Sequence, residues 1–296
     1  MGSYVLSCCS TADLSEKHFK ERDINYICFH YRLDGNEYFD DLGKTMSFKD
    51  FYNALENGSE ASTSQVSSGE YLEYFTKFLE QGLDILHVCL STGLSGTYNS
   101  AWNAAAIASE RFPDRKVIIV DSLGGSSGFG LLMDKLADLR DEGMGIDELA
   151  KWAMENRLKV QHWFFSTDLT FFYKGGRISK SAMIFGGILN ICPVLHVNSV
   201  GALEPVTKAR GRKMAMVKVV NEMKKLAIDG ENYSDKCYIS HSACYDDARE
   251  VADLIESQFP KLKGKILIND IGTTIGSHTG PGTVALFYWG QDRKNG

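Results

Sequence analysis

Short runs of apolar, β-branched and aromatic residues alternate along this chain with longer segments whose apolar residues recur at helical spacing. In the first half, the strand-like runs are YVLSCCS at 4–10, INYICFHYRL at 24–33, ILHVCLS at 85–91 and KVIIVDS at 116–122. Helical patterns lie near 97–112, 127–141 and 146–157. Strands that alternate with helices of this length predict βαβ units and a mostly parallel sheet.

The segment 67–81 carries the clearest helix start. Ser67 is followed three residues later by Glu70, which is the spacing of a capping box. The aromatic residues of one face follow at Tyr71, Tyr74, Phe75 and Phe78. We expect this helix to bury its aromatic face in the core.

The second half has a different pattern of predicted strands and helices. A β-like run, WFFSTDL, lies at 163–169, and a turn at 198–201 between ICPVLHV and LEPVTKA favours an antiparallel pair. Helices near 212–227 and 246–258 and the strands KCYISHS, KILINDI and VALFYW follow. The sequence therefore predicts an α/β protein of two domains, residues 1–158 and 159–296, with the boundary set by the change of pattern alone.

Composition narrows the class of protein. Of 296 residues, 44% are apolar, 24% are charged and five are proline, as in a globular protein with a sizeable core. The net charge of -6 argues against a nucleic-acid partner, which needs a surplus of Lys and Arg. Seven cysteines without a C-x-x-C pair favour reduced thiols in a cytoplasmic protein.

Neither the start of the chain nor its longest uncharged stretch predicts stable membrane insertion. MGSYVLSCCS lacks the cationic and long apolar regions of a secretory signal. The stretch 181–203 is interrupted by Asn190, Pro193, His196 and glycines, which fit a buried helix, a strand and a turn.

The stretch STGLSGTYNSA at 91–101 places Gly93 and Gly96 between a predicted strand and a predicted helix. The first N–H groups of a helix have no internal partner and attract anions, and Ser95 and Thr97 add hydroxyl groups. A tight turn capped by Ser95 or Thr97 is the alternative. Because no Lys lies where a P-loop needs one, a carboxylate fits better than a nucleotide.

Three further stretches are candidates for the same chemistry. ASTSQVSSGE at 61–70 is a second possible donor loop before a helix, although an ordinary N-cap with Ser and Thr neighbours is the simpler explanation. IGTTIGSHTGPG at 271–282 sets His278 in a glycine-rich loop, where the imidazole can meet a ligand. YKGGRISKS at 173–181 and KARGRK at 208–213 are basic clusters, either solvated or available to an acidic partner.

A serine hydrolase is the rival hypothesis. GGSSG at 124–128 fits G-x-S-x-G, follows a predicted strand and precedes a predicted helix. Asp270 and His278 then follow Ser126 in hydrolase order. The motif is short, and its surroundings are already poor in large side chains, so a match to G-x-S-x-G can arise by coincidence.

Six stretches, taken in order, resemble the DegV family over nearly the whole chain. They are ASTSQVS, STGLSGTYNSA, VDSLGGSSGFGLL, LTFFYKGGRIS, PVLHVNSVGALEPVTKARGRK and IGTTIGSHTGPGTVAL. The resemblance implies two α/β domains with a long-chain fatty acid in a tunnel at their interface. It also implies a carrier without a cofactor, metal or catalytic residue of its own, which presents the acid to a separate ATP-dependent fatty acid kinase that forms acyl phosphate.

The resemblance also assigns residues. Thr63 and Ser95 correspond to the carboxylate ligands, Gly96 offers its backbone N–H, and His278 lies beside the same carboxylate. Arg177 and Arg210 correspond to arginines near the portal, where a kinase docks or acyl phosphate charge develops. The chain departs from the family pattern at Cys9, where Asp is usual, at Val66, where Pro is usual, and at Cys192, where Lys is common.

Overall fold

The computed structural model describes residues 4–186 and 190–294 and contains three β-sheets with helices packed around them. The strands are β1 (Tyr4–Cys9), β2 (Asn25–Ile27), β3 (His30–Leu33), β4 (Asn36–Phe39), β5 (Ala61–Ser64), β6 (Asp84–Cys89), β7 (Val117–Asp121), β8 (Val160–Ser166), β9 (Ile191–Val197), β10 (Leu203–Arg210), β11 (Cys237–His241), β12 (Leu267–Asp270) and β13 (Thr283–Trp289). The helices are α1 (Glu16–Glu21), α2 (Phe48–Glu56), α3 (Ser68–Leu79), α4 (Thr97–Arg111), α5 (Ser126–Asp141), α6 (Ile146–Asn156), α7 (Thr170–Lys174), α8 (Lys180–Gly186), α9 (Arg212–Leu226), α10 (Tyr245–Gln258) and α11 (Thr273–Thr279).

The first half forms a four-stranded parallel sheet in the order β2-β1-β6-β7. Its central strands are buried on both faces, which explains why they read as nearly continuous apolar runs. Helix α3 begins at the predicted capping box, in which Ser67 and Glu70 bond each other's backbone N–H. The prediction of a parallel α/β sheet is confirmed.

The second half forms a six-stranded sheet in the order β10-β9-β8-β13-β11-β12. All its neighbours are antiparallel except β11 and β12, and the predicted hairpin of β9 and β10 is confirmed. Helix α5 packs on this sheet, and one apolar core is continuous from the first sheet to the second. The last strand of the parallel sheet ends at Asp121, and the first strand of the six-stranded sheet begins at Val160. The proposed domain boundary at residue 158 lies within this interval.

The run 24–33 is two strands in different sheets, so the prediction of a single strand was wrong. Between them, the Phe29 N–H donates to Ser10 Oγ, and the Phe29 carbonyl accepts from Asp40 N–H. Strand β3 then joins a small antiparallel sheet, β4-β3-β5, which packs with α2 around Tyr31 and Phe51. Local pattern does not reveal the break because no glycine or proline separates the two pieces.

Two expected loops are partly regular structure. The polar strip at 61–70 includes strand β5, and the glycine-rich stretch at 271–282 forms helix α11. Gly276 allows α11 to lie directly on Tyr52, since a Cβ at that position would be 2.4 Å from the Tyr52 hydroxyl. Close packing against Tyr52 therefore stabilises this helix, although its glycine content does not predict a helix from the sequence.

Within residues 4–186 and 190–294, no helix has the length and apolar character needed to cross a bilayer. Residues 187–189, inside the uncharged stretch 181–203, lie outside the described part of the chain. All seven cysteines carry free thiols, and only Cys28 and Cys244 are not fully buried.

Candidate functional site

A cavity of about 410 Å³ lies where the small sheet, the loop after β6 and the six-stranded sheet meet. Much of its wall is apolar, from strands of the second sheet and from the loop before α4. The apolar lining includes Phe29, Leu90, Leu94, Phe164, Phe172, Val197, Leu203, Ile271, Ile275, Ala285 and Phe287. The volume and lining are those of a site for a small, largely apolar molecule.

Polar groups of the wall are joined to one another by a series of contacts. Thr63 Oγ1 and His278 Nε2 share a hydrogen bond of 2.7 Å. The other ring nitrogen, Nδ1, lies against Gly175, whose carbonyl accepts from Arg177 Nη1. Arg177 Nε donates to the Leu94 carbonyl at 3.1 Å, next to Ser95. The polar end of the cavity is therefore built from four separate parts of the chain.

His278 is held as a neutral imidazole. Burial, together with the positive charge of Arg177, lowers the pKa of His278 from 6.5 to about 4. The neutral ring still offers one N–H donor and one acceptor nitrogen. Gly175 is required here, because a Cβ would lie 2.2 Å from His278 Nδ1.

The loop between β6 and α4 brings a helix N-terminus to the same cavity. The Leu94 and Ser95 N–H groups donate to the Ser91 carbonyl, and Ser95 Oγ accepts from Thr97 N–H at 3.2 Å. Gly96 precedes α4, and both Ser95 and Gly96 line the cavity. The partial positive charge of the helix start therefore faces this space.

The two glycines of this loop allow contacts within the protein. A Cβ at Gly93 would lie 2.6 Å from the backbone of Gly201, in the turn between β9 and β10. A Cβ at Gly96 would lie 2.6 Å from Gln65 Oε1, and Gln65 Nε2 donates to Ser100 Oγ. Gln65, which belongs to the possible donor loop at 61–70, lines the cavity and fixes β5 against α4.

The structure brings together Thr63, Ser95, Gly96 and His278 around one cavity, and it adds Arg177 to the wall. Arg210 does not line this cavity and lies exposed at the end of β10. The two arginines paired by the sequence analysis therefore occupy different environments, and Arg177 alone contacts the polar end.

Two buried carboxyl groups support α11, and sequence reasoning missed both. Asp13 Oδ1 accepts from Gly272 N–H at 3.0 Å, and Asp40 Oδ1 accepts from Thr273 Oγ1 at 2.8 Å. Burial raises the pKa of each group, and Asp40 raises the pKa of Asp13 further. Because both carboxyls lie at the start of the helix that carries His278, they position that side chain.

The residues of the hydrolase hypothesis do not form a triad. Ser126 has φ +51°, but its hydroxyl lies 2.5 Å from Asp13 Oδ2 and 2.9 Å from Ser240 Oγ. His278 bonds Thr63, and Asp270 faces His241 at 3.6 Å. The described contacts give Ser126 an acid partner and no imidazole base.

The three departures from the family pattern lie outside the cavity wall. Cys9 Sγ lies 3.2 Å from the Tyr71 hydroxyl, which is 2.8 Å from Thr97 Oγ1 in the first turn of α4. Val66 is fully buried, and Cys192 Sγ donates to the Ser166 carbonyl at 3.5 Å. All three side chains pack in the interior.

This chain is similar to known proteins over nearly its whole length. Residues 9–291 match the family model described as "Uncharacterised protein, DegV family". The chain is 38% identical to the DegV domain-containing protein CPE0026 of Clostridium perfringens, over 99% of this chain and 100% of that one.

Two solved structures have the same fold. A DegV lipid-binding protein from Thermotoga maritima is 26% identical with a TM-score of 0.83, over 99% of this chain and 100% of that one. A DegV family protein from Thermus thermophilus, described by its fatty acid binding, is 25% identical with a TM-score of 0.85, over 98% of this chain and 100% of that one. Since the family match runs from residue 9 to residue 291 and includes every residue of the cavity wall, the chain belongs to the DegV family.

Proposed function

We propose that this protein binds a long-chain fatty acid in the cavity. The carboxylate lies between the Thr63 and Ser95 hydroxyls, the Gly96 N–H and His278, and the acyl tail extends along the apolar wall. Residues 1–158 supply the hydroxyl groups and the helix start, and residues 159–296 cover the tail. The similarity to the lipid-binding Thermotoga protein and to the fatty-acid-binding Thermus protein supports a lipid ligand.

The observation that carries this proposal is the Thr63–His278 hydrogen bond at the polar end of an apolar cavity. A buried carboxylate is costly unless several donors meet it, and this end gathers hydroxyls, an imidazole and a helix start. Each buried CH₂ group contributes about 0.8 kcal/mol, so a sixteen-carbon tail offers on the order of 10 kcal/mol before ordering costs. The tail supplies the affinity, and the polar end fixes the orientation.

The second part of the proposal is that the bound acid is presented to a separate ATP-dependent kinase, which converts it to acyl phosphate. Such transfer needs a carboxylate that can be reached from outside, and Gly96 is exposed beside the polar end. Arg177 lies at the same end, and Arg210 offers an exposed cation outside the cavity wall for partner docking.

Native mass spectrometry after mild purification tests the ligand. We expect an added mass equal to a C14 to C18 fatty acid, and exchange for a deuterated acid supplied in solution. A ligand-free protein that ignores added fatty acid would exclude the proposal.

The kinase step has its own assay, in which hydroxylamine traps acyl phosphate as a hydroxamate. The loaded protein with ATP should give no hydroxamate until a fatty acid kinase is added. Hydroxamate formed without the kinase would show that this chain is itself the enzyme. Absence of hydroxamate when the kinase is present would exclude the kinase as a partner.

A further inference from the structure

Cys9 and Cys89 end two neighbouring strands of the parallel sheet, β1 and β6. Ser7 pairs with His87 in the register of these strands, and the two cysteines lie two residues further along. They therefore stand side by side on one face of the sheet, and a hydrogen bond joins their thiols. Neighbouring strands lie about 4.8 Å apart, which is within the range of about 4.4–6.8 Å between the Cα atoms of a disulfide.

A histidine and a tyrosine contact the Cys9 thiol as well. His87 Nε2 lies 3.8 Å from Cys9 Sγ, and the Tyr71 hydroxyl lies 3.2 Å from the same atom. Although burial disfavours the thiolate, hydrogen bonds with Cys89 and with these two groups lower the pKa of Cys9. Burial raises the pKa of Cys89. An activated thiol thus lies beside a second thiol that can resolve its oxidised form.

The Cys9 thiol is connected to the loop that carries Ser95. Tyr71, which contacts Cys9, also shares a hydrogen bond of 2.8 Å with Thr97 Oγ1 in the first turn of α4. The Thr97 N–H in turn donates to Ser95 Oγ at 3.2 Å. Cys89 is the last residue of the strand from which this loop starts. A change at either sulfur therefore reaches the polar end of the cavity through a short series of contacts.

We propose that Cys9 and Cys89 are a peroxide-sensitive dithiol, whose oxidation to a disulfide weakens the binding of the fatty acid. The effect on binding, but not the modification, rests on the proposed function. A disulfide draws Cys9 Sγ towards Cys89 and removes both S–H groups, so Tyr71 loses its sulfur partner and holds Thr97 less firmly. Both thiols are fully buried, which restricts the oxidant to a molecule close to water in size, such as hydrogen peroxide.

The chemistry consumes one peroxide for each disulfide. With its Nδ1–H donated to Ser7 Oγ at 2.9 Å, His87 accepts the Cys9 proton at Nε2. The Cys9 sulfur bonds to one peroxide oxygen, the O–O bond breaks, and the leaving hydroxide takes the proton from His87 to become water, which leaves a sulfenic acid. The Cys89 sulfur then bonds to the Cys9 sulfur, the S–O bond breaks, and hydroxide leaves with the Cys89 proton as a second water. The two sulfurs lose the two electrons that the peroxide gains.

The test oxidises the full-length protein with hydrogen peroxide and has two readouts. Peptide mass spectrometry without reduction should find the Cys9 and Cys89 peptides joined, with the loss of two hydrogen atoms. Calorimetry should show palmitate binding weakened at least threefold, and dithiothreitol should restore it. Cys9→Ser, which keeps a hydroxyl beside Tyr71, should bind palmitate equally well before and after peroxide, and Cys89→Ser should remove the cross-link. Cys8→Ser, equally buried on the opposite face of β1, is the matched control and should respond as the unaltered protein does.

The outcomes separate this inference from the proposed function. Absence of the cross-link after peroxide, or a cross-link from Cys9 to Cys8 or Cys28 instead, would overturn the proposal. A cross-link that leaves palmitate affinity unchanged would exclude the effect on binding, while fatty acid binding stands. If the reduced protein does not bind palmitate, the proposed function fails, and the peptide map still decides the modification. An equal loss of affinity in Cys9→Ser would place the sensitive group elsewhere in the molecule and overturn the proposal as well.

Discussion

Thr63 and His278 are 215 positions apart in the chain and share a hydrogen bond of 2.7 Å. Thr63 belongs to β5 of the small sheet, and His278 lies in the last turn of α11, which connects β12 to β13 of the six-stranded sheet. Their contact joins the two halves of the molecule at the polar end of the cavity. Binding of a ligand carboxylate at this position would require both halves, because neither half contains the site alone.

Thr63→Val should weaken fatty acid binding by about 1–3 kcal/mol, since the carboxylate loses a buried donor while the volume of the side chain is kept. Calorimetric titration with palmitate measures the change. Thr63→Ser retains the hydroxyl and is the control, with affinity close to that of the unaltered protein. Equal affinity in the Val variant would remove Thr63 from the site.

Ser95→Ala should affect both binding and stability. The bound carboxylate loses a donor, which costs about 1–3 kcal/mol of affinity, and Thr97 N–H loses its acceptor at the start of α4. We expect urea unfolding to show a further loss of about 1 kcal/mol. Ser109→Ala, farther along the exposed face of α4, should leave binding unchanged. If Ser95→Ala binds palmitate normally, the loop serves only as a cap.

The ligand-free protein should show a His278 pKa of about 4 by NMR titration, because burial and Arg177 disfavour the imidazolium. Between pH 6.5 and 4 the unfolded chain takes up a proton at this residue and the folded chain does not, so His278 makes stability fall as pH falls through that window. A bound carboxylate favours the imidazolium and should raise the pKa. His278→Gln removes the signal and identifies it; a pKa near 6.5 without ligand would contradict the buried geometry.

Gly175→Ala should displace His278, because the new Cβ would occupy space 2.2 Å from Nδ1. We expect a loss of thermal stability and at least a tenfold loss of palmitate affinity. Gly69→Ala in α3 is the control, since its Cβ meets nothing closer than 3.9 Å. Unimpaired binding in the Gly175 variant would mean that the ring of His278 is not needed in its present position.

Ser126 should resist a fluorophosphonate probe, and p-nitrophenyl esters should not be cleaved. Its hydroxyl bonds the Asp13 carboxyl, and His278 is engaged by Thr63. A serine esterase treated in parallel shows that the probe is active. Covalent labelling of Ser126, detected by peptide mass spectrometry, would restore the hydrolase hypothesis.

The amino-acid sequence by itself determined the elements whose signals are local. The parallel strands β1, β6 and β7 are apolar runs, α3 has its capping box at Ser67 and Glu70, and a turn at 198–201 gives a hairpin. The glycine and hydroxyl pattern of 91–101 also predicted the start of α4. These features depend on residues close together in the chain, so spacing and residue type reveal them.

Only the tertiary structure decided what depends on distant partners. It divided 24–33 between two sheets, made a helix of residues 273–279 despite their glycines, and buried Asp13 and Asp40 at its start. It also placed Arg177 at the polar end and Arg210 elsewhere. Burial and contacts across hundreds of positions arise from packing of the whole chain, and neither composition nor periodicity records which surfaces meet.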